Sequence, residues 1–360
     1  MISFTPSDEQ QLVIDTVRRF ASEQLRPLAH DADELRNTPA EVLTRGWELG
    51  LFHSAIPEAH GGIADAQAAL TGALAIEELA AGDAALGWHL LLPATFAVPL
   101  ARAGSAAQRE RWLAPLLEGG YAPLSAALTE PAWDFDPTAL RTVAVADGEE
   151  YMLDGLKGYV ARADDAAALL VYARLADGLA AFIVPRDSAG VTVLAREQHM
   201  GLRALPTYQV RFDGVRLPAD ARLPGAVAPL LDRSRIALAA SAVGVARGAY
   251  EYARAYALQR EAFGRPIAQN QSIAFMLAEM AIEIDAARLL AWEAAWRLDR
   301  GLPATREAAL AAQYADEMVL TVTDRAVQIL GGHGYIREYP VERWLRDARG
   351  FPTFLGLAIV

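Results

Sequence analysis

The chain has 360 residues, 33 Lys+Arg against 45 Asp+Glu, a formal net charge of −12, 53% hydrophobic residues and no cysteine. The apolar fraction excludes a disordered chain and the length predicts two or three packed units. The missing cysteine excludes disulfides, thiolate zinc sites, iron–sulfur clusters and thiol nucleophiles, and the acidic balance argues against a nucleic-acid partner.

The N-terminal stretch has neither a basic region nor an apolar core of a secretory signal, so a cytoplasmic protein is expected. Residues 1–122 read as a helical domain. Thr5-Pro6-Ser7-Asp8-Glu9 supplies an N-cap and early acids, and Leu12, Val13, Thr16, Val17 and Phe20 recur at helical spacing. Pro57 and Gly61-Gly62 interrupt the pattern, which resumes over 69–80 and 108–117. Residues 84–101 carry no Asp, Glu, Lys or Arg. A buried core helix explains this stretch better than a membrane span.

Residues 123–226 read as a β domain, a small antiparallel barrel or sandwich. Strands are predicted at 141–145, 169–172, 181–184 and 208–212, with Asp-Gly turns at Asp147-Gly148, Asp154-Gly155, Asp177-Gly178 and Asp213-Gly214. Residues 227–360 return to helix. Met276, Met280, Ile284, Ala287 and Ala291 form one apolar stripe, and Phe275, Ile282, Leu289, Trp292 and Trp296 a second. A helix apolar over so much of its circumference belongs inside a bundle or an oligomer interface. The order helix, β, helix is not that of a Rossmann domain, and no G-x-G-x-x-G or P-loop pattern follows a strand. No metal site is expected.

Several long motifs stand in one order. They are Pro57-Glu58-Ala59-His60-Gly61-Gly62, Ala75-Ile76-Glu77-Glu78-Leu79-Ala80, and Leu128-Thr129-Glu130-Pro131. Then come Arg260-Glu261-Ala262-Phe263-Gly264 with Gln271, Gln328-Ile329-Leu330-Gly331-Gly332, and Arg346-Asp347-Ala348. With these the chain resembles the acyl-CoA dehydrogenase family over nearly its whole length. The resemblance implies an α+β fold with N-terminal helical, middle antiparallel β and C-terminal helical domains, and FAD held between subunits. It implies oxidation of an acyl-CoA thioester to the 2-enoyl-CoA, a carboxylate taking the α-proton while the flavin accepts hydride.

The resemblance divides the cofactor site into two halves. Arg260, Phe263, Gln271, Gln328, Gly331 and Gly332 match the half that holds a partner's diphosphate and adenosine. A surface charge beside a helix break is the plainer reading of the same residues. Thr129 and Tyr159 match the half that cradles the flavin ring, but the sequence departs there. The Gly-rich loop ending in Ser-Asp is replaced by Ala132-Trp133-Asp134-Phe135-Asp136, and the Trp-Ile-Thr-Asn-Gly run by Tyr159-Val160-Ala161-Arg162-Ala163. Ala161 lacks the hydroxyl that the family's threonine gives the flavin.

Leu355 takes the place of the family's usual catalytic glutamate, and Ser234 the place of the alternative base. Neither is a carboxylate, so no catalytic residue is identifiable. Asp232 and Arg235 fall where the resemblance implies contact with CoA or a pocket wall; a solvated i,i+3 pair is the alternative. Family members usually continue into one more helix beyond the base. The reading that accommodates these departures is a subunit of a homo- or hetero-oligomer with another acyl-CoA dehydrogenase-like chain, contributing its C-terminal half-site to a partner's FAD. A self-sufficient dehydrogenase with an unusual base, for which His89 is a candidate, and an enzyme of changed thioester chemistry are the alternatives.

Overall fold

The computed structural model describes residues 5–64, 68–176, 178–354 and 356. The N-terminal part comprises α1 (Asp8–Phe20), α2 (Arg26–Leu35), α3 (Ala40–Glu48), α4 (Ala68–Gly82), α5 (Ala84–Leu90) and α6 (Ala94–Ala103), with shorter turns between them. Ser7 starts α1 through a reciprocal cap. Its Oγ accepts from Gln10 N at 3.2 Å, and Gln10 Oε1 accepts from Ser7 N at 3.0 Å. No single helix among the described residues is long and apolar enough to cross a membrane. The apolar pair α5 and α6 bends by 44° and is buried within the protein.

The middle part holds β1 (Ser125–Ala127), β2 (Val143–Asp147), β3 (Glu150–Ala161), β4 (Ala168–Leu175), β5 (Gly178–Pro185), β6 (Val191–Arg196) and β7 (Thr207–Pro218). They form one sheet in the order β1-β4-β2-β3-β7-β6, with β5 on β4. The sheet is antiparallel except where β4 meets β1 and, through Val143 and Arg174, β2. Of the predicted Asp-Gly turns, Asp147-Gly148 makes the β2–β3 hairpin. Asp154-Gly155 and Asp213-Gly214 lie within strands, not at turns. Gly155 sits at a register shift between β3 and β7 with φ +155°, and a Cβ there would fall 2.5 Å from Thr142 Oγ1. Asp154 Oδ1 accepts from Gly214 N across this bulge at 2.7 Å. Asp177 lies outside the described residues.

The C-terminal part contains α7 (Ala228–Gln259), the two-residue strands β8 (Glu261–Ala262) and β9 (Arg265–Pro266), α8 (Gln271–Asp299), α9 (Thr305–Leu330) and α10 (Val341–Ala348). Helix α7 packs directly on α4. A Cβ on Gly244 would come 2.2 Å from Glu77 O, so glycine permits this approach. Charges fasten the same seam. Arg247 reaches Glu78 at 2.6 Å and Glu77 at 3.2 Å, Arg18 reaches Glu78, and Arg288 reaches Glu77. Buried Asp33 on α2 gathers Arg203 from the β domain (3.1 Å) with Arg337 (2.9 Å) and Arg346 (2.8 Å) from the C-terminal part. One carboxylate thus ties all three parts together.

Candidate active site

The ring-side site begins at the turn after β1. Glu130 accepts from the backbone N–H groups of Arg141 and Thr142, both at 2.8 Å, and from Lys157 Nζ at 3.0 Å. Burial works to raise the Glu130 carboxyl, but Lys157 and the two amides outweigh it and hold it below the usual range. Burial pushes Lys157 down to about 8, against the pull of Glu130. Glu130 is therefore occupied as a structural turn residue.

This turn positions Thr129 against a bulge in β3. Gly158 N donates to Thr129 O at 3.0 Å, and Tyr159 N donates to Glu197 Oε2 at 3.0 Å. The Tyr159 backbone is left-handed, φ +55°, an unusual state for an aromatic residue. Its ring lies 5.3 Å from His199 and 6.2 Å from Phe354. Thr129 Oγ1 donates to the carbonyl of Thr353 at 3.0 Å. Thr95, Thr129, Gly158, Tyr159, Thr353 and Phe354 line a partly open cleft. Among the described residues no carboxylate, imidazole or amine lines it.

Beyond the cleft, Arg162 Nη1 lies 2.6 Å from His89 Nε2, and the same guanidinium chelates Asp165. Burial, then the Arg162 charge, pushes His89 down to about 3. Burial thus favours the neutral ring, with Nε2 facing the Arg162 guanidinium.

Neither family position for a base provides one. Ser234 is buried in α7 and its Oγ donates to Leu230 O at 3.2 Å, the preceding turn of its own helix. Leu355 lies outside the described residues. Asp232 and Arg235 do pair, at 3.0 Å, but Asp232 is buried and also accepts from Thr305 Oγ1 at 2.7 Å. This anchors α7 to the start of α9, unlike a solvated surface pair.

The C-terminal motifs form a second, exposed site. Phe263 and Gly264 turn the β8–β9 hairpin with φ +54° and +80°, as in a type I′ turn, and the Phe263 ring is fully exposed. Arg260 N donates to Tyr256 O at 2.8 Å, and Ile267 N to Arg260 O at 2.9 Å, so the hairpin is fixed to the end of α7. Arg260 itself is exposed, as are Gln271 at the start of α8 and Gln328 in the last turn of α9. Gly331 follows with φ +58° and no atom within 4 Å of a notional Cβ; Gly332 has the same open surroundings. The Tyr256 hydroxyl meets His333 Nδ1 at 2.7 Å and brings the two motifs to one end of the bundle.

These two regions fit FAD unequally. Exposed guanidinium, amide and glycine groups suit the oxygens of a diphosphate and the close approach of a nucleotide. On the ring side Ala161 offers no hydroxyl, and the Thr129 hydroxyl donates to Thr353 O. Thr129 and Tyr159, expected at the flavin ring, both line this cleft. Sequence reasoning also missed Thr353 and Phe354, which carry no local signal of entering the cleft.

A helical, β and helical fold bearing these motifs defines the flavin-dependent acyl-thioester dehydrogenase class. Family profiles described as acyl-CoA dehydrogenase N-terminal, middle and C-terminal domains match residues 7–120, 125–215 and 225–358. The chain belongs to the acyl-CoA dehydrogenase family. It is 36% identical over 354 residues to the mitochondrial short-chain specific acyl-CoA dehydrogenase of Bos taurus, covering 95% of this chain and 85% of that protein. It is 37% identical over 362 residues to a probable acyl-CoA dehydrogenase of Bacillus subtilis, covering 97% and 94%. The solved structure of butyryl-CoA dehydrogenase from Megasphaera elsdenii superposes with a TM-score of 0.88 at 33% identity, covering 98% of this chain and 96% of that one. A glutaryl-CoA dehydrogenase from Mycobacterium smegmatis, solved with FADH2, gives 0.88 at 28% identity, covering 98% and 92%. Family members bind FAD, and the homologues are oxidoreductases acting on CH–CH donors.

Proposed function

We propose that this chain is one subunit type of a hetero-oligomeric FAD-dependent acyl-CoA dehydrogenase. It lends its C-terminal half-site to a catalytic partner. The observation that carries the reading is the contrast between its two half-sites: the C-terminal motifs are displayed, and among the described residues no carboxylate, imidazole or amine lines the ring-side cleft. In the assembly, Arg260 and the backbone at Gly331-Gly332 hold the diphosphate of the partner's FAD. Phe263, Gln271 and Gln328 border its adenosine. The flavin, when bound, supplies hydride acceptance. The partner supplies the carboxylate base and the ring contacts. Asp232 and Arg235 shape the acyl-CoA end of the interface.

The outer face of α8 supports association. Phe275, Ile282 and Leu289 recur every seven residues and are exposed, a helical seam suited to another helix.

The test is to purify the chain alone and co-expressed with an acyl-CoA dehydrogenase-like chain that retains the glutamate and the Ser-Asp loop. The expected result is a mixed assembly that retains FAD and is bleached by acyl-CoA, with no bleaching by this chain alone. One bound FAD per subunit in the lone chain, reduced by acyl-CoA, would overturn the proposal.

A further inference from the structure

We propose that Asp83 and Asp347 share a single proton where the three parts of the molecule meet, so that the docking of these parts weakens as the proton is lost. Asp83 is the N-cap of α5, and Asp347 stands on α10. Both are 2% exposed, and neither belongs to the cofactor half-sites described above.

The joint is tightly closed. Asp83 Oδ1 accepts from Leu86 N at 3.0 Å and so caps α5. Asp347 Oδ1 accepts from Leu202 N, in the β domain, at 2.5 Å. A Cβ on Gly201 would come 2.2 Å from Arg346 O, so this loop lies directly on the α10 backbone. On the same loop, Met200 O accepts from Arg346 Nη1 at 2.7 Å.

The charges at the joint do not balance without a proton. The cation beside the pair is Arg343, 5% exposed, with Nε 3.5 Å from Asp83 Oδ2. The other guanidinium groups around it are committed elsewhere. Arg346 pairs with Asp33 at 2.8 Å and Glu342 at 2.7 Å, and Arg203 and Arg337 pair with Asp33. Arg26 on α2 donates to Ala81 O and lies over the Trp344 ring. From α7 comes Tyr252, its ring 6.0 Å from that of Trp344; on α9, Asp316 feels Arg349 just past the end of α10. His199, ahead of the β-domain loop, is bonded to Thr207 at 2.7 Å. Two buried carboxylates thus face one guanidinium, with the charge of a third, Asp33, acting on Asp83 from α2.

A second buried charge without a counter-ion is costly, and a carboxyl so placed takes up a proton instead. Burial, then the Asp83 charge, pushes the Asp347 carboxyl up to about 7, against Leu202 N, Arg343 and Arg346. Burial likewise raises Asp83, against Arg343 and Leu86 N. The proton belongs to the pair, and its release is a property of both groups. The fold keeps it at pH values where an unfolded aspartate, titrating at about 3.9, has lost it. The contribution to stability is complete below that value and is lost as pH rises to about 7.

Asp347→Asn tests the pair, since the amide keeps the shape and an oxygen for Leu202 N but does not titrate. Urea unfolding of wild type and variant is compared from about pH 5 to about pH 8. The ratio of wild-type to variant unfolding constants is expected to rise about tenfold per pH unit up to about pH 7 and then level. His89 is common to both chains and drops out of the ratio. Infrared spectroscopy at about pH 6 is expected to show the carbonyl band of a buried protonated carboxyl in wild type, lost in Asp347→Asn. A flat ratio, or no such band in wild type, would overturn the shared proton. Should Asp347→Asn fail to fold, Asp83→Asn keeps a cap on α5 and removes the neighbouring charge. The band is then expected to titrate away at lower pH than in wild type, and an unshifted titration would overturn the coupling.

Discussion

Tyr256 and His333 meet through hydroxyl and Nδ1 at 2.7 Å, across the gap between the end of α7 and the turn after α9. The bond sets the spacing between the Arg260 hairpin and the Gly331-Gly332 turn, which are 65 residues or more apart in the chain. It is reinforced by ring contacts from Tyr339, 4.9 Å from His333 and 6.3 Å from Tyr256. Tyr256→Phe keeps the ring and removes the bond. Such a bond is worth about 1 kcal/mol net, so FAD affinity of the mixed assembly is expected to fall by about fivefold, with the fold unchanged. Flavin release measured by fluorescence checks this; unaltered release would separate the bond from cofactor holding.

Arg260 carries a larger effect. Its guanidinium is exposed, and the hairpin fixes its backbone at both ends. Replacing it by alanine in the assembly removes a charge-assisted contact to diphosphate, worth roughly 1.5–3 kcal/mol. A loss of about 10- to 100-fold in FAD affinity is expected, with no change in the thermal stability of the lone chain. Retained FAD content after dialysis would contradict the role.

Leu355→Glu supplies a carboxylate at the family's base position. No turnover of acyl-CoA is expected from the lone variant, because the ring-side motifs at 132–136 and 159–163 are altered as well. Stopped-flow absorbance with an acyl-CoA panel checks this. Bleaching by the variant would show that the missing base was the only defect.

His89 gives the stability a pH dependence. It is protonated near 6.5 in an unfolded chain but only at about 3 in the fold. Between those values the unfolded state binds the extra proton, so the contribution is complete above about pH 6.5 and is lost as pH falls. One proton corresponds to about 1.4 kcal/mol per pH unit, or roughly 2 kcal/mol between pH 6.5 and 5. Urea unfolding of wild type and His89→Gln over that range is expected to converge as pH falls. Parallel curves would rule the effect out.

Asp33→Ala leaves three arginines facing a missing partner. Breaking a buried ion pair on one side costs about 3–5 kcal/mol. A drop of that size in urea stability is expected, and a separate early unfolding phase would show that the parts had come apart.

Much of this was legible from the sequence because it is periodic or local. The helical stripes of α8, the N-cap ahead of α1 and the strand alternation depend on residues within a few positions of one another. The same locality misled at Asp154-Gly155 and Asp213-Gly214. An Asp-Gly pair signals positive φ, but a bulge within a long hairpin uses that conformation as readily as a turn does. The pairing of His89 with Arg162, the seating of Phe354 against Trp88 and the burial of Asp232 join residues more than 70 positions apart. These contacts depend on how the three parts dock. The lost glutamate and the altered ring-side motif could be seen in the sequence, but the placing of Thr353 and Phe354 along the cleft could not.

The clustering of Arg203, Arg337 and Arg346 on Asp33 bears on how the protein can move. A single carboxylate shared by three bodies is a pivot without slack: rotating any one body strains its contacts with the other two at the same point. Large hinge opening between the parts is mechanically disfavoured. Motions that serve binding must then be small and local, within one part, rather than rotations of whole domains.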